Sequence, residues 1–299
     1  MQLSTNLSNT YEPDKKVYYL YNENNILITN DIVQEMLKKC GIDEKINDIK
    51  IYQQAFTNKT YSKNDKKNNY DKYIIDNSGV NIDTIVPLQE KSNERFEWLG
   101  DGILQSVVAY YLFKRFKKQD EGFLTKIRSK LVKTNSLYKQ ALYLGMDKYI
   151  LMSKHMELYC NGRKNSKILE DTFESFIGAI KIDFSNKISE EYAYNICSKF
   201  IINSLENIID FTEIIRSDDN YKDQLMRYFQ KNFGGLCPIY KKKSIQTIQN
   251  DNITTRIFKM YVCDMNGNEI GCGESRLKKE AEQKAAKAAL LHFGLINGY

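Results

Sequence analysis

The stretch NERFEWLGDGIL, residues 93–104, sets three carboxylates, Glu94, Glu97 and Asp101, at positions i, i+3 and i+7 of an otherwise apolar run. A helix there carries one apolar stripe through Phe96, Leu99, Ile103, Val107 and Tyr110. Glu97 and Asp101 fall on the other side, and a solvated face is the bland alternative. Their row continues, however, through Leu104, Val108 and Leu112, so the helix is apolar nearly all round and is expected to be central and buried. Ionised groups there are costly unless something compensates them. The helix dipole contributes only about 0.3–1 kcal/mol for each acid in the first turn.

A second stretch, ILEDTFESFIGAIKIDF at 168–184, repeats the pattern. Asp171 and Glu174 are spaced i, i+3 on one face, with Gly178 next in the same row. A glycine lets another helix approach closely, so the two acid-bearing helices can pack side by side. Carboxylates gathered in this way repel one another and raise their own pKa values. A divalent cation relieves that repulsion, and all-oxygen ligation suits Mg²⁺, with Mn²⁺ compatible with the same donors. The chain has only two histidines, His155 and His292, so chemistry built on a histidine base is unpromising. Carboxylates on two helices point instead to a metal-activated water attacking a phosphodiester.

NERFEWLGDGIL closely resembles the signature of the ribonuclease III family, in which an acidic, apolar run opens a central helix. LEDTFESFIGAI (169–180) is similar to the family's second motif, and QAFTNKTY (54–61) to its upstream stretch. DEGFLTKIRSKLVKTNSLYKQA (120–141) fits the segment between the motifs, so the resemblance spans roughly residues 30–210. It implies that Glu97, Asp101, Asp171 and Glu174 bind the metal and catalyse. It also places Glu94 and Glu121 at supporting acidic positions. Lys167 falls where Dicer-like members carry a lysine that helps stabilise phosphate charge; an ordinary loop lysine is the alternative. Trp98 matches the aromatic that inserts into a partner subunit, against the alternative of a buried core aromatic. Two departures stand out: an insertion at 62–92, and CNGRKNSK (160–167) where the family has a Gly-Gly and arginine stretch.

Six scattered cysteines without a CxxC pair argue against a zinc cluster or a disulfide framework. No 18-residue apolar run exists, and the polar start MQLSTNLSNTYEPDKK lacks a signal-peptide core. The expectation is an intracellular protein without a membrane association, cytoplasmic or nuclear. The net charge of +6 is concentrated: residues 220–299 carry 13 Lys and Arg against 7 Asp and Glu, and the rest of the chain is balanced. A basic module beside a neutral body points to a polyanion partner.

That module has the pattern of a helix (Tyr221–Phe233), three strand-like runs with an Asn266-Gly267 hairpin signal, and an Ala-rich helix from about Leu277 to Phe293. GCGESRLKKEAEQKAAKAALLHFG (271–294) resembles the C-terminal half of a double-stranded-RNA-binding domain. Lys278 and Lys279, in the first turn of the last helix, are the expected phosphate contacts. Ala281, Ala285 and Ala288 are the expected face against the sheet. The family's minor-groove contacts fall on Met226 and Arg227. The loop expected between the first two strands, QTIQNDNITTR, places Thr254 where the family has a histidine.

The expected architecture is multidomain. An all-α ribonuclease III endonuclease domain is followed by an α+β (α-β-β-β-α) double-stranded-RNA-binding domain. The boundaries are an irregular arm at 1–28, the endonuclease domain at 29–212 with its insertion at 62–92, a linker at 213–219 and the RNA-binding domain at 220–296. The resemblance implies a homodimer that hydrolyses double-stranded RNA to 5′-phosphate ends with short 3′ overhangs. The alternative is a non-catalytic protein that shields or sequesters duplex RNA.

Overall fold

A computed structural model describes residues 16–63, 73–76, 80–81, 83–216, 220–250 and 253–296. Residues 1–15 of the expected arm, 217–219 of the expected linker and parts of the 62–92 insertion lie outside the described residues. The chain divides into two compact units between Ile214 and Ile215.

The first unit is helical: α1 (Asn30–Lys39), α2 (Ile49–Ala55), α3 (Glu94–Arg115), α4 (Glu121–Leu131), α5 (Thr134–Leu144), α6 (Lys154–Tyr159), α7 (Ser166–Lys187) and α8 (Glu190–Ile208), while α9 (Phe211–Arg216) runs across its end at Ile214. Helix α7 is its axis. Phe173, Phe176, Ile177, Ala179, Ile180 and Phe184 are fully buried, so α7 is covered nearly all round, as a helix with apolar residues on every face must be. Helices α3, α8, α5 and α2 pack around it. Local chemistry fixes the ends. Asn165 caps α7 by accepting from the backbone N–H of Lys167 (3.0 Å) and of Ile168 (3.4 Å). Asp120 caps α4 through Phe123 N–H (2.8 Å), and Gly145 ends α5 at φ +76°.

Asp183 on α7 is fully buried and fully employed. Its carboxylate accepts from the backbone N–H groups of Asn47 (2.9 Å) and Asp48 (2.8 Å) and from the Tyr52 hydroxyl (3.1 Å), which ties the start of α2 to the central helix.

Several expectations need correction. The run NDIVQEMLKKCGI (30–42) suggests Asn30 as an N-cap, but helix α1 starts at Asn30 with Thr29 as its N-cap. The helical period of 93–210 suggests a break near Gly122, but Gly122 lies inside α4 and the break falls before Asp120. The arm and the insertion are not wholly irregular: β1 (Lys16–Tyr18) pairs in parallel with β2 (Tyr73–Ile75). Tyr110 leaves the expected apolar stripe, being 65% exposed.

The second unit runs α10 (Tyr221–Asn232), β3 (Ile239–Asn250), β4 (Ile253–Cys263), β5 (Glu269–Ser275) and α11 (Lys278–His292). The strands form an antiparallel meander, β3-β4-β5. Leu225, Phe229, Val262, Ile270, Ala285, Ala286, Ala289 and Leu290 make the core between sheet and helices. Gly271 and Gly273 leave no room for a Cβ, because the backbone of α11 at Ala281, Ala285 and Ala289 lies directly against β5. The buried alanine row is thus Ala281, Ala285 and Ala289; Ala288 is only half-buried. Gly267 takes φ +85° in the β4–β5 turn. The expected loop QTIQNDNITTR is instead mostly ladder, with Asn250 paired to Ile253; the side chain of Thr254 lies outside the described residues. Among the described residues, no helix is long and apolar enough to cross a membrane.

Candidate active site

Two helices bring the acids together, and glycines set the distance. Gly178 of α7 lies on the backbone of Phe96, and Gly100 of α3 lies on the backbone of Glu174. The start of α3 is pinned from upstream: Asn93 N–H donates to Thr57 O (2.9 Å), and Asn93 O accepts from Phe96 and Glu97 N–H (both 2.9 Å). The QAFTNKTY stretch therefore anchors the residue before the first acid.

One carboxylate oxygen from each of Glu97, Asp171 and Glu174 lies within 4.8 Å of the other two. Asp101 stands outside that triad but near enough for its charge to act on Glu174, and it accepts from Gln105 Nε2 (3.2 Å). Glu94 sits at the rim, 3.8 Å from Lys59. Glu121 is not brought to the cluster; it is exposed on α4 and accepts from Thr125 Oγ1 (2.8 Å).

The electrostatics follow from burial and crowding. Burial, then the charges of Asp101 and Glu170, pushes Glu174 up to about 8. Burial also raises Asp171, against the opposing pull of Lys167. Glu97 is raised by burial and then by Asp171. Burial works against the charge on Lys167, but its ion pairs with Asp171 and Glu170 outweigh it and hold its pKa above the ordinary lysine range. The ammonium is 2.8 Å from Asp171 Oδ1 and 3.2 Å from Glu170 Oε2.

Three converging hard oxygen donors, each resisting ionisation in the free protein, fit a small divalent cation. Its positive charge would favour the ionised forms that burial and mutual repulsion disfavour. The sequence reading missed two neighbours. Lys59 was legible only as part of QAFTNKTY, and its charge lowers the proton affinity of Glu97 and Asp171. Glu170 had a signal in its spacing, i+3 from Lys167 and i−4 from Glu174.

Trp98 is 80% exposed, so it is not a core aromatic of this chain. It borders a hollow lined also by Phe96, Leu99 and Ile182. In the second unit, Lys278 and Lys279 are exposed in the first turn of α11, whose N-cap, Leu277, offers no side-chain bond. Arg227 pairs with Asp223 (2.8 Å), and Met226 is exposed.

Comparison with known proteins agrees with this layout. Residues 87–205 match the model of the Ribonuclease-III-like family, and residues 221–292 match the Double-stranded RNA binding motif. Ribonuclease 3 of Clostridium perfringens is 37% identical over 209 residues, which cover 69% of this chain and 81% of that protein. The chain belongs to the ribonuclease III family. Ribonuclease 3 of a Geobacillus strain is 30% identical over 258 residues, covering 86% of this chain and 89% of that one. The "Probable ribonuclease 3" of Acanthamoeba polyphaga mimivirus is 29% identical over 96% of this chain, which spans 49% of that longer protein. This ribonuclease III family member thus joins a helical nuclease unit to an α-β-β-β-α unit of the double-stranded-RNA-binding kind.

Proposed function

We propose that the chain is an endonuclease that hydrolyses phosphodiesters of double-stranded RNA with Mg²⁺, and that Mn²⁺ can replace it. The observation that carries this reading is the triad of Glu97, Asp171 and Glu174, half-buried at the first two and buried at the third, in a chain that also holds a basic RNA-binding unit. Glu97, Asp101, Asp171 and Glu174 hold the cation. A bound divalent cation lowers the pKa of water and neutralises charge on the phosphate. Lys167, fixed in its charged form, offers a second positive group to the phosphate. Glu94 supports the rim beside Lys59, and Glu121 has no role in the cluster of one subunit.

Lys278, Lys279 and the open start of α11 grip backbone phosphates, a mode that reads the A-form shape of a duplex and not its sequence. Trp98 and the apolar hollow beside it serve a homodimer contact, since an aromatic this exposed is costly in water and suits an interface anchor. Each subunit then brings one cluster to one strand, which leaves 5′-phosphate ends and short 3′ overhangs. The test is incubation of an end-labelled RNA duplex with the full chain in Mg²⁺ and in EDTA, with the ends sized and tested for phosphate. Cleavage in Mg²⁺ alone is expected. Tight binding without cleavage would assign the chain to the shielding of duplex RNA instead.

A further inference from the structure

Glu170 shares the α7 face with the cluster, one turn before Glu174, yet it lies outside the triad. The residue is only 8% exposed. A buried carboxylate beside three or four others adds repulsion, and such a position is unfavourable unless a cation compensates it. The compensating cation is Lys167, whose ammonium lies 3.2 Å from Glu170 Oε2 and 2.8 Å from Asp171 Oδ1. The Lys167 side chain is itself 61% exposed, so packing does not hold it over the cluster. Its backbone is fixed by the Asn165 cap, and its head is fixed by two carboxylates.

Those two carboxylates are not equivalent. Asp171 belongs to the triad and must share its charge with any cation bound there. Glu170 does not. A lysine held by Asp171 alone would lose much of its counter-charge when the site is loaded, and a long exposed side chain would regain its rotamer freedom.

We propose that Glu170 is a positioning residue: it keeps the Lys167 ammonium at the rim of the carboxylate cluster, facing the scissile phosphate, while Asp171 serves the cation. The inference rests on the endonuclease reading above and adds to it a role for an acid outside the cation-binding set. It separates two kinds of carboxylate on one helix face, one kind for the cation and one for the lysine.

The test uses the full chain with Glu170→Gln, Lys167→Ala and the double variant. Three quantities are measured: the single-turnover cleavage rate with enzyme saturating over a labelled RNA duplex, duplex affinity in EDTA, and Mn²⁺ affinity without RNA from the resonance of free Mn²⁺. Glu170→Gln is expected to slow cleavage about tenfold or more while Mn²⁺ and duplex affinities stay within about threefold. The double variant should be no slower than Lys167→Ala alone. Several outcomes overturn the proposal. Unchanged cleavage by Glu170→Gln is one, and losses that multiply in the double variant are another. A Mn²⁺ affinity reduced about tenfold would make Glu170 a ligand instead. If Glu170→Gln does not fold, Glu170→Met, similar in volume and uncharged, takes its place; failure of both shows a structural role and also overturns the proposal. A wild-type chain that does not cleave in Mg²⁺ removes the endonuclease reading itself, whereas a cleaving wild type with an indifferent Glu170→Gln removes only this inference.

Discussion

Gly100 of α3 and Glu174 of α7 are in backbone contact, so that a Cβ on Gly100 would overlap the Glu174 carbonyl oxygen. Gly178 meets the Phe96 backbone in the same way one turn along. The pair acts as a double notch that holds Glu97 within reach of Asp171 and Glu174. Gly100→Ala or Gly178→Ala must push the helices apart, at a cost of about 1–3 kcal/mol or more. Both variants should melt lower and bind Mn²⁺ more weakly than wild type. A Mn²⁺ affinity equal to wild type in either variant would show that the notch does not set the site.

Glu174→Gln keeps the shape of the side chain and removes one charge and one oxygen donor of the triad. Cleavage in Mg²⁺ should fall by about a hundredfold or more, with duplex binding retained, because the phosphate grip proposed above lies in the second unit. Near-normal cleavage at millimolar Mg²⁺ would remove Glu174 from the site.

The pH dependence of the metal-free protein has a definite sign. Glu174 is raised from its ordinary value of 4.5 to about 8, so the folded chain binds this proton more tightly than the unfolded chain does. The stabilisation is fully present below the unfolded pKa and is lost as pH rises through the folded one. Thermal melts in EDTA should therefore fall between about pH 5 and about pH 8, and Glu174→Gln should flatten part of that fall. A slope identical in both proteins would contradict the assignment.

Removal of residues 220–299 deletes the basic unit and leaves the helical unit with its own core and the whole carboxylate cluster. The truncated chain should fold and cleave weakly, with affinity that falls steeply with salt. Unfolding, or duplex affinity equal to that of the full chain, would show that the units do not divide the work in this way.

Trp98 is a surface residue of the single chain, so Trp98→Ala should change the stability of a monomer little. As an interface anchor it should contribute about 2 kcal/mol or more to association, and its loss should shift the sedimenting mass toward monomer at micromolar concentration. Duplex cleavage should then change from paired cuts to nicks. A variant that stays dimeric and still cuts both strands would place the dimer contact elsewhere.

The sequence alone determined the secondary structure of the two acid-bearing helices and the α-β-β-β-α order, because the hydrophobic period is local and strong over those runs. It also marked Gly178 as a point of close approach, since a glycine in a helix row costs propensity and needs a packing reason. Only the tertiary structure decided which acids meet. Glu121 has the residue type and an acidic motif position, yet α4 carries it away from the triad. Glu170 and Lys59 bear on the cluster only because α7 and the segment after α2 converge on α3. The pairing of β1 with β2 was equally hidden, since contacts between distant segments leave no period in either one. Trp98 shows the same limit at one residue. Its period places it about 100° from Leu99, but whether that direction is core or surface depends on where α7 and α8 lie, which no local pattern encodes.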